Sequence, residues 1–174
     1  MAKTVSDDIM LESASEANAP PFGLAFAEAA SQTFLKGWLV NLVAGYVTAI
    51  ASDTPGNILG LAEQDAHNLS ASGSPTNPDQ SINVSLANAT NIFSANVKGA
   101  SLADHVLVQS DIGVTMGIQR DTTNNRIFLD ASVKAGSSCR VFTLRTAQNT
   151  DIGDTNGRVL FVFLPNFAQS MGTS

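Results

Sequence analysis

The sequence predicts an all-β protein: one barrel-like, β-tulip or sandwich domain of short antiparallel strands, preceded by an extended N-terminal arm. Two observations predict it. Short apolar runs of four to eight residues recur along the chain, separated by Gly, Pro, Asn and Asp clusters, which is the spacing of a sandwich or barrel. No 30-residue strand–helix–strand rhythm occurs, so a doubly wound parallel sheet is not expected.

The elements follow in order. Residues 1–20 are polar, small and acidic and end in Ala19-Pro20-Pro21, which disfavours helix because the residue before a proline is pushed to extended conformations. Gly23 to Ala30 reads either as two helical turns or as a continuation of the arm lying on another subunit. The arm is therefore taken as residues 1–32, extended or partly helical, and the β domain as residues 33–174. Strands are expected near 36–43, 45–51 and 57–62, with Asp53-Thr54-Pro55-Gly56 as a turn. Residues 66–80 form a polar loop. Ile82, Val84 and Leu86 alternate with Asn83, Ser85 and Ala87, the period of a half-buried strand, and Phe93, Ala95 and Val97 continue it. Val106 to Val108 is a short strand or the end of a turn. Gly113 to Ile118 and Arg126 to Asp130 pair around the turn-rich Asp121 to Asn125. Arg140 to Arg145 alternates, and Arg158 to Leu164 is apolar on both faces, as expected of a central strand covered twice. The triplet Asp-Ile-Gly at 111–113 returns at 151–153, a recurrent turn before two similar strands.

Composition narrows the function. The chain has 174 residues, 44% of them hydrophobic, which excludes general disorder. Charged residues are 14%, against roughly 25% in ordinary globular proteins. That deficit suits a surface buried against partners. Fifteen acidic and nine basic residues give a net charge of −6 and no basic footprint for nucleic acid. No run approaches the roughly 20 apolar residues of a membrane helix, and residues 1–20 lack the apolar core of a signal peptide. Cys139 is the only cysteine, so no intramolecular disulfide forms, and it reads as a small half-buried residue. The sequons at Asn68, Asn83 and Asn88 are chance matches in an Asn- and Ser-rich chain.

The candidate chemistry is thin. His67 lies near Asp65, and His105 follows Asp104, but two isolated histidines lack the ligand spacing of a metal site. There is no Gly-x-Ser-x-Gly elbow. Asp151 to Gly157 offers oxygen ligands but no Glu at position twelve to close a calcium loop, and it reads as a tight turn. No metal, no cofactor and no catalytic residue is expected. The aromatic residues Phe34, Trp38, Tyr46, Phe93, Phe128, Phe142, Phe161 and Phe163 are assigned to the core.

The run Phe34-x-Lys36-Gly37-x-Leu39-Val40, then Ala49-Ile50-Ala51-Ser52-Asp53-Thr54-Pro55, then Ile58-Leu59-Gly60-Leu61-Ala62, resembles the head decoration, or cement, proteins of tailed bacteriophages. The ending Gly153-Asp154-x-Asn156-Gly157-Arg158-Val159 is similar to phage structural proteins as well. The resemblance spans about residues 33–165. It implies a barrel-like or tulip-like fold, a place on the outer surface of an icosahedral head, the major capsid protein as partner, self-association as a homo-oligomer, commonly a trimer or dimer at symmetry axes, and reinforcement of the shell against packaged DNA. Such a protein is made in the bacterial cytoplasm and resides in the virion. A tail, neck or baseplate protein, a receptor- or glycan-binding module, and a surface hydrolase using His67 or His105 are the competing readings. The expected capsid or subunit contacts are Val5, Ile9, Met10, Leu11, Phe22, Leu24 and Phe26, apolar residues of the arm with no evident strand partner.

Overall fold

A computed structural model describes residues 10–13, 23–50, 57–67, 81–121, 126–137 and 139–168. Val5, Ile9, Phe22, the turn at 53–56, most of the loop at 66–80, the turn at 122–125 and the sequon at Asn68 lie outside the described residues. The strands are β1 (Met10–Ser13), β2 (Gly23–Ala27), β3 (Leu39–Val43), β4 (Tyr46–Ala49), β5 (Gly60–Ala62), β6 (Ser81–Leu86), β7 (Ile92–Lys98), β8 (Thr115–Asp121), β9 (Arg126–Asp130), β10 (Cys139–Thr146) and β11 (Arg158–Phe163). The fold is all-β, and its only helical pieces among the described residues are three-residue 3-10 turns.

The strands form two sheets, ordered β2-β6-β5-β3-β4 and β1-β7-β11-β10-β8-β9. Each curls until its first and third strands meet in parallel. In the first sheet Glu28, just past β2, bridges Val47 of β4. In the second, Val97 and Lys98 of β7 pair with Leu129 and Asp130 of β9. Set β1 aside and number the strands of each sheet one to five in chain order. Both then read 1-5-4-2-3, antiparallel throughout except for the closing pair. Among the described residues the chain thus folds as two barrel-like sheets of one topology in tandem. The Asp-Ile-Gly echo is not the mark of this repetition, because both triplets lie in the second barrel.

Three expectations need correction. Residues 23–27 are not helix: Leu24, Ala25 and Phe26 pair with Val84, Asn83 and Ile82, so the first barrel begins inside the supposed arm. The strand expected from residue 36 starts at Leu39, since Gly37 adopts φ +86 and turns the chain. Val106 to Val108 is not a ladder strand but one bridge, Val106 to Thr155. Asp130 at the end of β9 leads into a turn that its side chain holds by accepting from the Ser132 N–H and hydroxyl.

Burial follows strand parity. Phe34, Val40, Val47, Leu59, Ala62, Ile82 and Val84 fill the first barrel. Phe93, Ala95, Val97, Met116, Leu129, Val141, Val159, Phe161 and Phe163 fill the second, with the three Phe rings 5.0–5.9 Å apart. Alternate residues of the first barrel, Leu39 and Leu61 on its outer side with Ile50 and Ile58, join this second core and stopper one end of the barrel. The seam is locked by Arg120, whose guanidinium donates to the Ile50 carbonyl at 3.1 Å and lies 5.1 Å over the Trp38 ring. Trp38 is thus a half-buried seam residue, and Phe142 is half-buried on the outer side of the second barrel. The apolar run of β11 does sit centrally, between β10 and β7, and all but Val162 of its residues are buried. Its outward Arg158 is buried by hydrogen bonds to Ser94 and Asn96.

Candidate docking surface

The far end of the second barrel is closed by the segment between β7 and β8. Leu107 points inward and is fully buried, and the neighbours on either side of it therefore point out. A short two-stranded pairing supports it: Leu107 N–H donates to the Asp154 carbonyl and Gly153 N–H donates back to Leu107, at 2.9 and 2.8 Å. Asn156 clamps the edge, donating its N–H to the His105 carbonyl, accepting from the His105 N–H, and donating its amide to Asp104 Oδ1. A Cβ on Gly157 would stand 3.0 Å from methyl groups of the Leu107 and Thr150 side chains, a tight contact that glycine avoids.

Beneath the segment lies Asp111, whose carboxylate is wholly buried. Oδ1 accepts from Lys134 Nζ at 2.6 Å, and Oδ2 accepts from the Val108 N–H and from His105 Nε2, both at 2.8 Å. A carboxylate offers no proton, so His105 carries its hydrogen on Nε2. Burial alone would raise the Asp111 carboxyl. The Lys134 hydrogen bond, the Val108 N–H, the His105 ring and the Lys134 charge together outweigh it and hold the carboxyl below its ordinary value. The Thr143 hydroxyl donates to the Asp111 carbonyl at 2.7 Å, tying the same residue to β10. Residues of three segments, 105–108, 134 and 143, thus converge on Asp111, the first two on its carboxylate and Thr143 on its backbone carbonyl.

The outcome is an end surface that presents apolar groups to water. Val106, Val108 and Ile152 are 51%, 41% and 44% exposed. Val106 stands opposite Thr155, and Val108 stands beside the turn that carries Ile152, because Leu107 is registered against Gly153 and Asp154. Exposed Asp104, Asp151 and Asp154 rim them. Asp104 is held below its ordinary carboxylate value by the Asn156 amide and by Lys98, 3.2 Å away. Asp154 Oδ2 accepts from the Asp151 N–H and fixes the turn.

The sequence pairs of neighbours do not survive folding. Asp65 accepts from the Lys36 N–H, and His67 instead donates its N–H to buried Glu28. Asp104 and His105 leave opposite sides of the extended chain, so His105 meets Asp111 and Asp104 meets Lys98. A histidine oriented by a buried aspartate is half of a nucleophilic triad. Among the described residues, no Ser, Thr or Cys side chain hydrogen-bonds to His105, and no group of three metal-ligating residues converges. Cys139 is buried in β10 with its Sγ 3.7 Å from the Val133 carbonyl. Lys134 and the apolar trio were missed by sequence reasoning; nothing in a lone lysine or in separated aliphatics marks them.

The expected contact residues are scattered. Met10 and Leu11 pair with Ser94 and Phe93 of β7. Leu24 is exposed on β2, and Phe26 is half-buried against the first core. Neither is near the end surface in the chain's topology. Among the described residues no helix is long and apolar enough to cross a membrane. No family model matches the chain, and no curated protein and no solved structure matches it.

Proposed function

We propose that this chain is a structural protein of a tailed phage that sits on the outer surface of the icosahedral head and reinforces it against packaged DNA, as a decoration or cement protein. The observation that carries the reading is the barrel end itself: three large aliphatic side chains held in water on a segment pinned by a buried ion-pair cluster. Neighbouring exposed aliphatics rimmed by polar residues support an interaction site, where single exposed ones would not. The low charge of the sequence agrees with that use.

The resembling run supports the same reading from another side. Leu39, Ile50, Ile58 and Leu61 of this run join the core of the second barrel. The motif therefore encodes the rigid body, and the contacts are left to the surface. The partner is the major capsid protein. Self-association, as the trimer or dimer that the resemblance implies, would add linked weak contacts and raise avidity through effective concentration. The test is co-sedimentation of the purified protein with heads that lack it. Saturation at a fixed number of copies per head is expected; a folded protein that stays in the supernatant refutes the proposal.

A further inference from the structure

We propose that the end surface formed by Val106, Val108 and Ile152 is the docking face of the chain, and that it takes a protein surface with an apolar centre and a Lys- and Arg-rich rim. This rests on the head-binding function proposed above and names the face and the partner chemistry.

Two observations converge. The first is mechanical. An apolar patch contributes binding energy only if it is held in place before contact, since ordering a loop on binding consumes part of the gain. Here the backbone of 105–108 is bonded on one side to 153–156 and from below to Asp111, so little freedom remains to be lost. The side chains are aliphatic and β-branched, with few rotamers to freeze.

The second is charge. The exposed rim consists of Asp104, Asp151 and Asp154. Lys98 pairs with Asp104 of the rim itself, and Lys134 with buried Asp111, which leaves Asp151 and Asp154 to set the charge of the rim. An acidic rim repels nucleic acid and anionic lipid and attracts a basic one. A second copy of the chain docked through the same face would bring three further carboxylates against these, and like charges facing each other at an interface are disfavoured. A basic-rimmed partner of different sequence is the occupant that both the apolar centre and the rim accept.

The experiment uses the full chain and heads lacking it. Ile152→Asp places a charge at the centre of the patch on an exposed turn, and Asp151→Lys reverses the rim without touching the centre. Both should melt within a few degrees of the wild type. Ile152→Asp should weaken head binding at least about tenfold, the size expected for a residue at the centre of an interface. Asp151→Lys should weaken it less, and added salt should weaken wild-type binding while affecting Asp151→Lys less. If wild type and both variants bind heads alike, the face is wrong and the head-binding function stands. If Asp151→Lys binds more tightly, the partner's rim is not basic. If wild type self-associates in sedimentation velocity and Ile152→Asp is monomeric yet still binds heads, the face belongs to a second copy. If wild type does not bind heads, both proposals fall.

Discussion

Replacing Asp111 with Asn tests how the end of the second barrel is held together. The substitution keeps the shape and one acceptor oxygen but removes the charge that Lys134 and His105 address at 2.6 and 2.8 Å. Hydrogen bonds to charged groups contribute about 1.5–3 kcal/mol each, so two of them set an upper limit near 3–6 kcal/mol. Two effects reduce it. The buried carboxylate itself carries a desolvation cost of several kcal/mol that Asn does not. The Lys134 and His105 side chains are 35% and 22% exposed, so both recover part of their hydration when the charge goes. A net loss of about 2 kcal/mol remains, which for a chain of this length lowers the melting temperature by roughly 4–8 °C.

The pH dependence supplies the sharper check. A carboxyl depressed in the folded state stabilises the fold above its unfolded pKa, near 3.9, and that contribution fades as pH falls through the lower folded value. Urea melts of wild type and Asp111→Asn should therefore differ by about 2 kcal/mol from pH 7 down to about pH 5, and converge as pH falls below about 4. A difference that stays constant down to pH 3, or one under about 0.5 kcal/mol at pH 7, would refute the role given to the charge.

Three further substitutions probe the frame. Phe161→Ala, at the middle of the three packed rings, should cost about 3–5 kcal/mol in denaturant melts, and Trp38→Ala should cost less because Trp38 is half-buried at the seam. Gly60→Ala should destabilise by at least about 1–3 kcal/mol, since its Cβ would stand 2.0 Å from the Ser85 carbonyl oxygen, a backbone atom that cannot swing aside. Arg120→Ala removes the Ile50 hydrogen bond and the cation over Trp38; a loss of about 1–2 kcal/mol and a shift in Trp fluorescence are expected, and an unchanged spectrum would contradict the seam.

Legibility was uneven for a physical reason. Most of the strands, β6, β9, β10 and β11 among them, were visible because alternation and turn chemistry are local. Residues 23–30 left helix and extended arm both open, because Gly-Leu-Ala-Phe-Ala-Glu-Ala-Ala has the composition of a helix; pairing with β6 makes 23–27 a strand of the domain, and buried Glu28 accepts from the His67 N–H, 39 residues away. The repeated topology left no period in the sequence that could be read, since the two barrels share strand order and not residues.

The sequence by itself determined the class of the fold, the approximate places of its strands, the apolar character of β11 and the acidic balance of the surface. These depend on spacing and composition, which need no knowledge of what lies across the core. The tertiary structure decided that there are two barrels and not one, that Asp111 gathers His105 and Lys134, and that Val106, Val108 and Ile152 stand together at one end. The Lys134–Asp111 pair spans 23 positions and the His105–Asn156 contact 51, and each barrel needs the closure of a sheet on itself, none of which is written in the order of neighbouring residues.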